Sequence, residues 1–276
     1  MWFLLAFFAA VIYTAMWVAI RASAKIPVTI VQIAYSISGP LLMIGFHPPQ
    51  AAWSSSVWWM FLGWMFLVNP VFSWLFTYAV QRTDLTISKP LSSVSSVVAM
   101  ATAWAAFGEN LPAFGIAGIL IAAAGMWALY HTRVHAWRTS YPWILLMCVA
   151  SFGVNSVITH ETLKIYPDPF VLTGIGFTGS LPWWIGIALA KHVTWRPTKG
   201  SLWMLLVITV TTAVQDVSTT VALGMAPAAY VVSIKRLSIL FTSVIGYVYF
   251  KERELTLTRL IVATCVVITG AILLVV

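Results

Sequence analysis

The chain has 276 residues, 61% of them hydrophobic and 8% charged, with 15 Trp and a mean hydropathy of +0.94. A soluble domain averages about 45–50% apolar and about 25% charged residues, so a water-soluble globule, a disordered chain and a secreted disulfide scaffold are excluded. The net charge of +8 reads as membrane orientation and contact with anionic lipid, and it calls for no nucleic-acid partner.

The composition predicts an all-α integral membrane protein. At about 20 apolar residues per span, ten transmembrane helices with short loops use up the length. A barrel would need segments of about ten residues with alternating polarity, whereas Trp2 to Ile20 and Leu255 to Val276 are continuously apolar. In chain order the spans cover about residues 2–20, 27–46, 57–80, 85–106, 111–130, 142–160, 168–190, 202–224, 227–249 and 255–276. The first lacks the basic start and small-residue cleavage site of a signal peptide and reads as a retained span. Turn chemistry separates the others, as at His47-Pro48-Pro49-Gln50, Arg82-Thr83-Asp84, Tyr166-Pro167-Asp168-Pro169 and Arg196-Pro197-Thr198-Lys199-Gly200. Cys148 and Cys265 fall in apolar runs and read as packing thiols.

Lys and Arg in short loops stay on the cytoplasmic side. Loops after the odd-numbered spans hold Arg21, Lys25, Arg82, Arg133, Arg138, Lys191, Arg196, Lys199, Lys251 and Arg253, while the opposite loops hold Lys164 beside Glu109, Glu161 and Asp168. This asymmetry predicts basic loops in the cytoplasm and both termini outside, in a multi-pass protein of the bacterial cytoplasmic (inner) membrane. Trp53, Trp58 and Trp59 then fall at one interface, and Trp137, Trp143, Trp195 and Trp203 at the other, as an aromatic belt requires.

The two halves end alike. Phe107-Gly108-Glu109 precedes an apolar span bearing Gly118 and Gly125, and Phe250-Lys251-Glu252-Arg253-Glu254 precedes one bearing Gly270. Upstream, Ser88-Lys89-Pro90-Leu91-Ser92 resembles Ile234-Lys235-Arg236-Leu237-Ser238. The chain thus divides into five-helix repeats at residues 1–135 and 136–276. An odd number of spans in each makes them inverted, which puts a substrate site near the midplane between them. With its two acidic turns and this repeat, the chain resembles the drug/metabolite transporter superfamily in its ten-helix EamA-like branch. The resemblance implies secondary transport of small organic solutes, with helices 1 to 4 and 6 to 9 around a central cavity and helices 5 and 10 behind them.

A charge near the bilayer centre is costly and usually functional. Asp216 lies nine residues before the turn near Met225, and Lys235 lies ten after it. At 1.5 Å per residue both sit about 14 Å from that turn on neighbouring antiparallel helices, so they can pair, with Arg236 adjoining. Thr209, Thr212, Asp216 and Thr219 form one polar stripe, and Ala228, Lys235, Ser238, Thr242 and Gly246 form another; such stripes also serve plain helix packing. Two cations against one carboxylate leave a surplus positive charge, which an anionic or zwitterionic ligand would neutralise. The order Ile234-Lys235-Arg236 followed by Thr242-Ser243 also resembles the ninth helix of sugar-phosphate translocators, where a Lys-Arg pair contacts phosphate. The first-helix glutamate of the small multidrug branch is absent; that helix offers Tyr13 and Thr14. Asn69-Pro70 and Asn155 put polar groups at membrane depth, for a neighbouring helix or for a solute. Lys89 is close enough to a helix end to snorkel to the surface.

Candidate substrate-binding or coupling residues are therefore Lys235, Arg236, Asp216, Asn155, Tyr13 and Ser238. Catalysis is not expected. His131 and His135 have metal-like spacing beside Arg133 with no acidic partner, His160-Glu161 lacks the second His of a zinc protease motif, and no phosphate-binding loop is present. A non-enzymatic secondary transporter is expected, with no catalytic residues, resident metal or cofactor. Its partners would be a small-molecule substrate, membrane lipids and a coupling proton or counter-solute, in a monomer or homodimer. The alternative reading is a flippase for a lipid-linked or polyprenyl-phosphate substrate.

Overall fold

The computed structural model describes residues 1–44, 46, 50–83, 91–130, 141–249, 262, 266, 269 and 270. Lys89, the central loop with His131 and His135, the turn Phe250-Lys251-Glu252, Cys265 and most of the expected tenth span lie outside the described residues.

Every described element is helical, and the helices follow the apolar runs. They are α1 (Trp2–Ala22), α2 (Val28–Ser36), α3 (Gly39–Leu42), α4 (Gln50–Trp53), α5 (Ser56–Gly63), a π-helical turn (Trp64–Val68) and α6 (Asn69–Val80). Then come α7 (Val94–Phe107), α8 (Ala113–Tyr130), α9 (Tyr141–Ile165), α10 (Pro169–Ala190), α11 (Lys199–Leu223), α12 (Ala228–Lys235) and α13 (Ser238–Val248). Six helical stretches among the described residues are long and apolar enough to cross a membrane, and Val28–Leu42 and Val94–Phe107 are shorter apolar helices.

Local chemistry sets the ends and the breaks. Asp168 caps α10 by accepting from the amides of Phe170 and Val171, each at 3.0 Å, with Pro169 in the first turn. Thr198 and Ser201 form a capping box at α11. Gly108 adopts φ +66° and ends α7, a conformation that costs glycine little. Pro70 has no amide proton, so it cannot donate to the carbonyl of Phe66 four residues back. The π-helical turn lies immediately before it, and the freed Phe66 carbonyl accepts the indole N–H of Trp183 on α10 at 2.8 Å.

The expected second and ninth spans are each broken, at Ile37-Ser38 and at Arg236-Leu237. At the second break the amides of Leu237, Ile239 and Leu240 bond three residues back rather than four, and Ser95 and Ser96 do the same at the start of α7. The sixth span runs past its expected end at residue 160 to Ile165, so His160 and Glu161 lie inside a helix.

Without a hydrophobic force between helices in lipid, close approach through small residues drives packing. α1 lies along α11 and touches α12 and α13; α9 lies along α6 and α7. α10 crosses α2 and α3, meeting α3 backbone to backbone. A Cβ on Gly39 would stand 2.6 Å from the Thr178 nitrogen, and one on Gly174 would stand 3.0 Å from the Gly39 oxygen. Leu4, Leu41, Trp104, Phe114, Met147, Leu189 and Leu206 are exposed around the outside, where lipid covers them. Trp53, Trp59, Trp143 and Trp203 are exposed as an interfacial belt needs. Trp58 is not part of that belt: it is fully buried, stacked on Phe61 and edge-on to Tyr166, because it faces the α9–α10 turn.

Candidate functional site

A central cavity with about 130 Å³ open to the centre of a water molecule lies among α1, α2, α6, α9, α10, α11 and α12. Its wall is unusually polar for a membrane interior. Gln32, Asn69, Asn155 and Gln215 contribute four carboxamides, beside Ser73, Thr77, Ser156, Thr159 and Thr173. The charged residues Asp216, Lys235 and Arg236 complete it, with Tyr13 and Tyr35.

The charges are held in a definite order. Lys235 Nζ lies 3.7 Å from Asp216 Oδ1 and 4.6 Å from the centre of the Tyr13 ring, so the ammonium sits between a carboxylate and an aromatic face. Gln215 Nε2 donates to Asp216 Oδ1, and the Tyr35 hydroxyl donates to Oδ2 at 3.4 Å. The ion pair is partly desolvated, with side-chain exposures of 12% for Lys235 and 26% for Asp216. Lys235 is the last residue of α12 and Arg236 occupies the break after it. The partial negative charge at a helix C-terminus favours cations there, which gives the break a physical purpose.

Arg236 is 4% exposed, and its hydrogen-bond partner is Tyr13. Its Nε has no partner, and Lys235 alone of the two cations makes a salt bridge to Asp216. Arg236 is therefore not the second support of Asp216 that its sequence position suggests, since the helix break turns it toward α1. Among the described residues, no carboxylate pairs with its charge at the cavity wall.

Of the six residues singled out from sequence, Tyr13, Asn155, Asp216, Lys235 and Arg236 line the cavity. The Oδ1 atom of Asn155 is buried there without a partner. Ser238 is not among the lining residues. It lies past the break, and its carbonyl accepts from Thr14 and Thr242 at 3.3 and 2.7 Å, so it joins α13 to α1. Of the first threonine stripe, Thr219 lines the cavity, while Thr209 bonds the Ala34 carbonyl at 2.7 Å and ties α11 to α2. Trp17 is fully buried and Trp104 is 66% exposed.

The sequence reading missed Gln32, Tyr35 and Gln215. Gln32 donates to the Ser73 carbonyl and the Thr77 hydroxyl, at 2.8 and 2.6 Å. For Gln32 and Gln215 the available signal was a carboxamide inside an apolar run, the same signal that pointed to Asn69 and Asn155.

Comparison with known proteins gives a family likeness for the first half of the chain. Residues 1–130 match the family model described as "EamA-like transporter family", consistent with the drug/metabolite transporter superfamily, whose EamA-like members are membrane transporters rather than enzymes. No curated protein matches the chain. A solved structure, titled only as a crystal structure of a protein, superposes on 100% of this chain and 98% of its own, with a TM-score of 0.77 at 13% identity. That likeness shows the fold. With six apolar membrane-length helices among the described residues, the chain is an integral membrane protein whose residues 1–130 are similar to that transporter family.

Proposed function

We propose that the protein is a secondary transporter that carries a small anionic or zwitterionic metabolite through the central cavity. The observation that carries this reading is the half-buried Lys235–Asp216 pair beside the buried Arg236, two cations against one carboxylate on a polar wall. A buried charge without a partner is costly, so a ligand bearing a carboxylate or phosphate lowers the free energy of the loaded state. Asn155, with an acceptor oxygen to spare, orients such a solute.

The architecture proposed with it is two inverted five-helix repeats, residues 1–135 and 136–276, with ten spans in the inner membrane and both termini outside. Exchange of neighbours between the halves supports it. The first span packs on the eighth and ninth, the sixth packs on the third and fourth, and the second crosses the seventh. Small movements of one repeat against the other would then expose the cavity to alternate sides.

The experiment is transport by the purified chain in proteoliposomes, using radiolabelled amino acids, dicarboxylates and sugar phosphates, with and without a pH gradient. Saturable uptake of at least one anionic or zwitterionic solute is expected. Selective uptake of cations, or movement of polyprenyl phosphate alone, overturns the reading. Acceleration by the gradient identifies the coupling ion as a proton, and stimulation by internal solute identifies exchange.

A further inference from the structure

At the end of the bundle where α7 closes, three ligating side chains converge from different stretches of chain. Glu109 follows the left-handed Gly108, and His160 and Glu161 lie in the last two turns of α9. Their donor atoms all fall within 4.8 Å of one another. His160 Nδ1 is 2.6 Å from the Leu223 carbonyl, so the ring donates from Nδ1 and its neutral form keeps the lone pair on Nε2. That nitrogen is 4.0 Å from Glu161 Oε1. Glu109 Oε2 is buried with no hydrogen-bond partner. Lone pair and carboxylates repel one another unless a cation lies among them. Lys164 offsets one carboxylate, its Nζ 2.6 Å from Glu161 Oε1, and leaves Glu109 uncompensated.

We propose that Glu109, His160 and Glu161 form a binding site for a divalent transition cation, with Leu223 holding the imidazole from behind. A carbonyl on the second ring nitrogen is the usual support of a ligating histidine. Two carboxylates and one imidazole supply three protein donors and leave a position for water. Bonds of about 2.0–2.2 Å require the donors to draw together by side-chain rotation, with Lys164, 56% exposed, swinging away into solvent. Thr159 and Leu223 also line the central cavity. An ion here therefore fastens the turn after α7 to α9 and, through Leu223, to the end of α11 at the cavity rim. Binding at this site does not depend on the chain being a transporter.

The test is Zn²⁺ titration of the detergent-solubilised, tag-free chain by competition with a chromophoric chelator, together with thermal unfolding at each Zn²⁺ concentration. One saturable Zn²⁺ per chain and a raised Tm are expected. Glu109→Gln and Glu161→Gln should each weaken binding by about 100-fold or more, beyond the 10–100-fold typical of outer-shell losses. His160→Gln, whose amide can still donate to Leu223, should do the same at unchanged metal-free Tm. Lys164→Ala removes the competitor for Glu161 and should bind at least as tightly as the wild type. No saturable Zn²⁺ binding, or equal binding by the three ligand variants, overturns the proposal.

Discussion

Asp216 and Lys235 are not symmetric partners, and this decides what each substitution does. If Lys235 is removed, Asp216 keeps donors from Gln215 and Tyr35. If Asp216 is removed, Lys235 and the buried Arg236 are left as two neighbouring cations with Tyr13 beside both. Breaking a buried pair costs about 3–5 kcal/mol. The cavity softens this, since the Asp216 side chain is 26% exposed. We expect Asp216→Asn to lower the Tm in detergent more than Lys235→Ala does; equal Tm values for the two would contradict the asymmetry. That the two could pair was legible in sequence, because they lie equally far from one turn on neighbouring antiparallel helices, and the structure brings them to 3.7 Å. The role of Arg236 was not, because a helix break reorients the residue after it and leaves no mark in an apolar pattern.

Among the elements, the crossing of α3 over α10 depends on glycine on both sides, Gly39 and Gly174, and is tightest against backbone at Gly39. A Cβ at Gly39 would meet backbone and Cβ atoms at 2.6–2.7 Å, whereas one at Gly63 meets nothing within 4 Å. Gly39→Ala should therefore destabilise the protein by about 1–3 kcal/mol, as overpacking does. Gly63→Ala should change stability little, and thermal unfolding of the two variants side by side checks both. Helix positions were largely readable from apolar runs and turn residues, with Asp168-Pro169 and Thr198 marking starts as capping chemistry requires. The break at Ile37-Ser38 is marked by Gly39-Pro40, since Pro40 has no amide to donate to the Ser36 carbonyl, whereas no proline or glycine marks the break at Arg236-Leu237. Trp58 shows the same limit: depth can be read from sequence, but which face of the helix looks inward cannot.

For the whole molecule, the charge count and the exchange of neighbours between halves make separate claims that a topology experiment can join. Reporter fusions after Lys199 should be active only as cytoplasmic reporters, and fusions at the C-terminus only as external ones. A cytoplasmic C-terminus would contradict the topology with both termini outside. That the molecule is a membrane protein was evident from composition; the carboxamide lining of the cavity became visible only once the helices were assembled.

The most direct test of the central claim compares wild type and Lys235→Ala in proteoliposomes, using an anionic or zwitterionic solute that the wild type carries and monitoring Tm in parallel. The cavity's charge arrangement predicts that Lys235→Ala loses saturable transport by at least about 10-fold, the factor equivalent to about 1.4 kcal/mol, while remaining folded. Wild-type rates in well-folded Lys235→Ala protein would contradict it and leave the pair a structural ion pair.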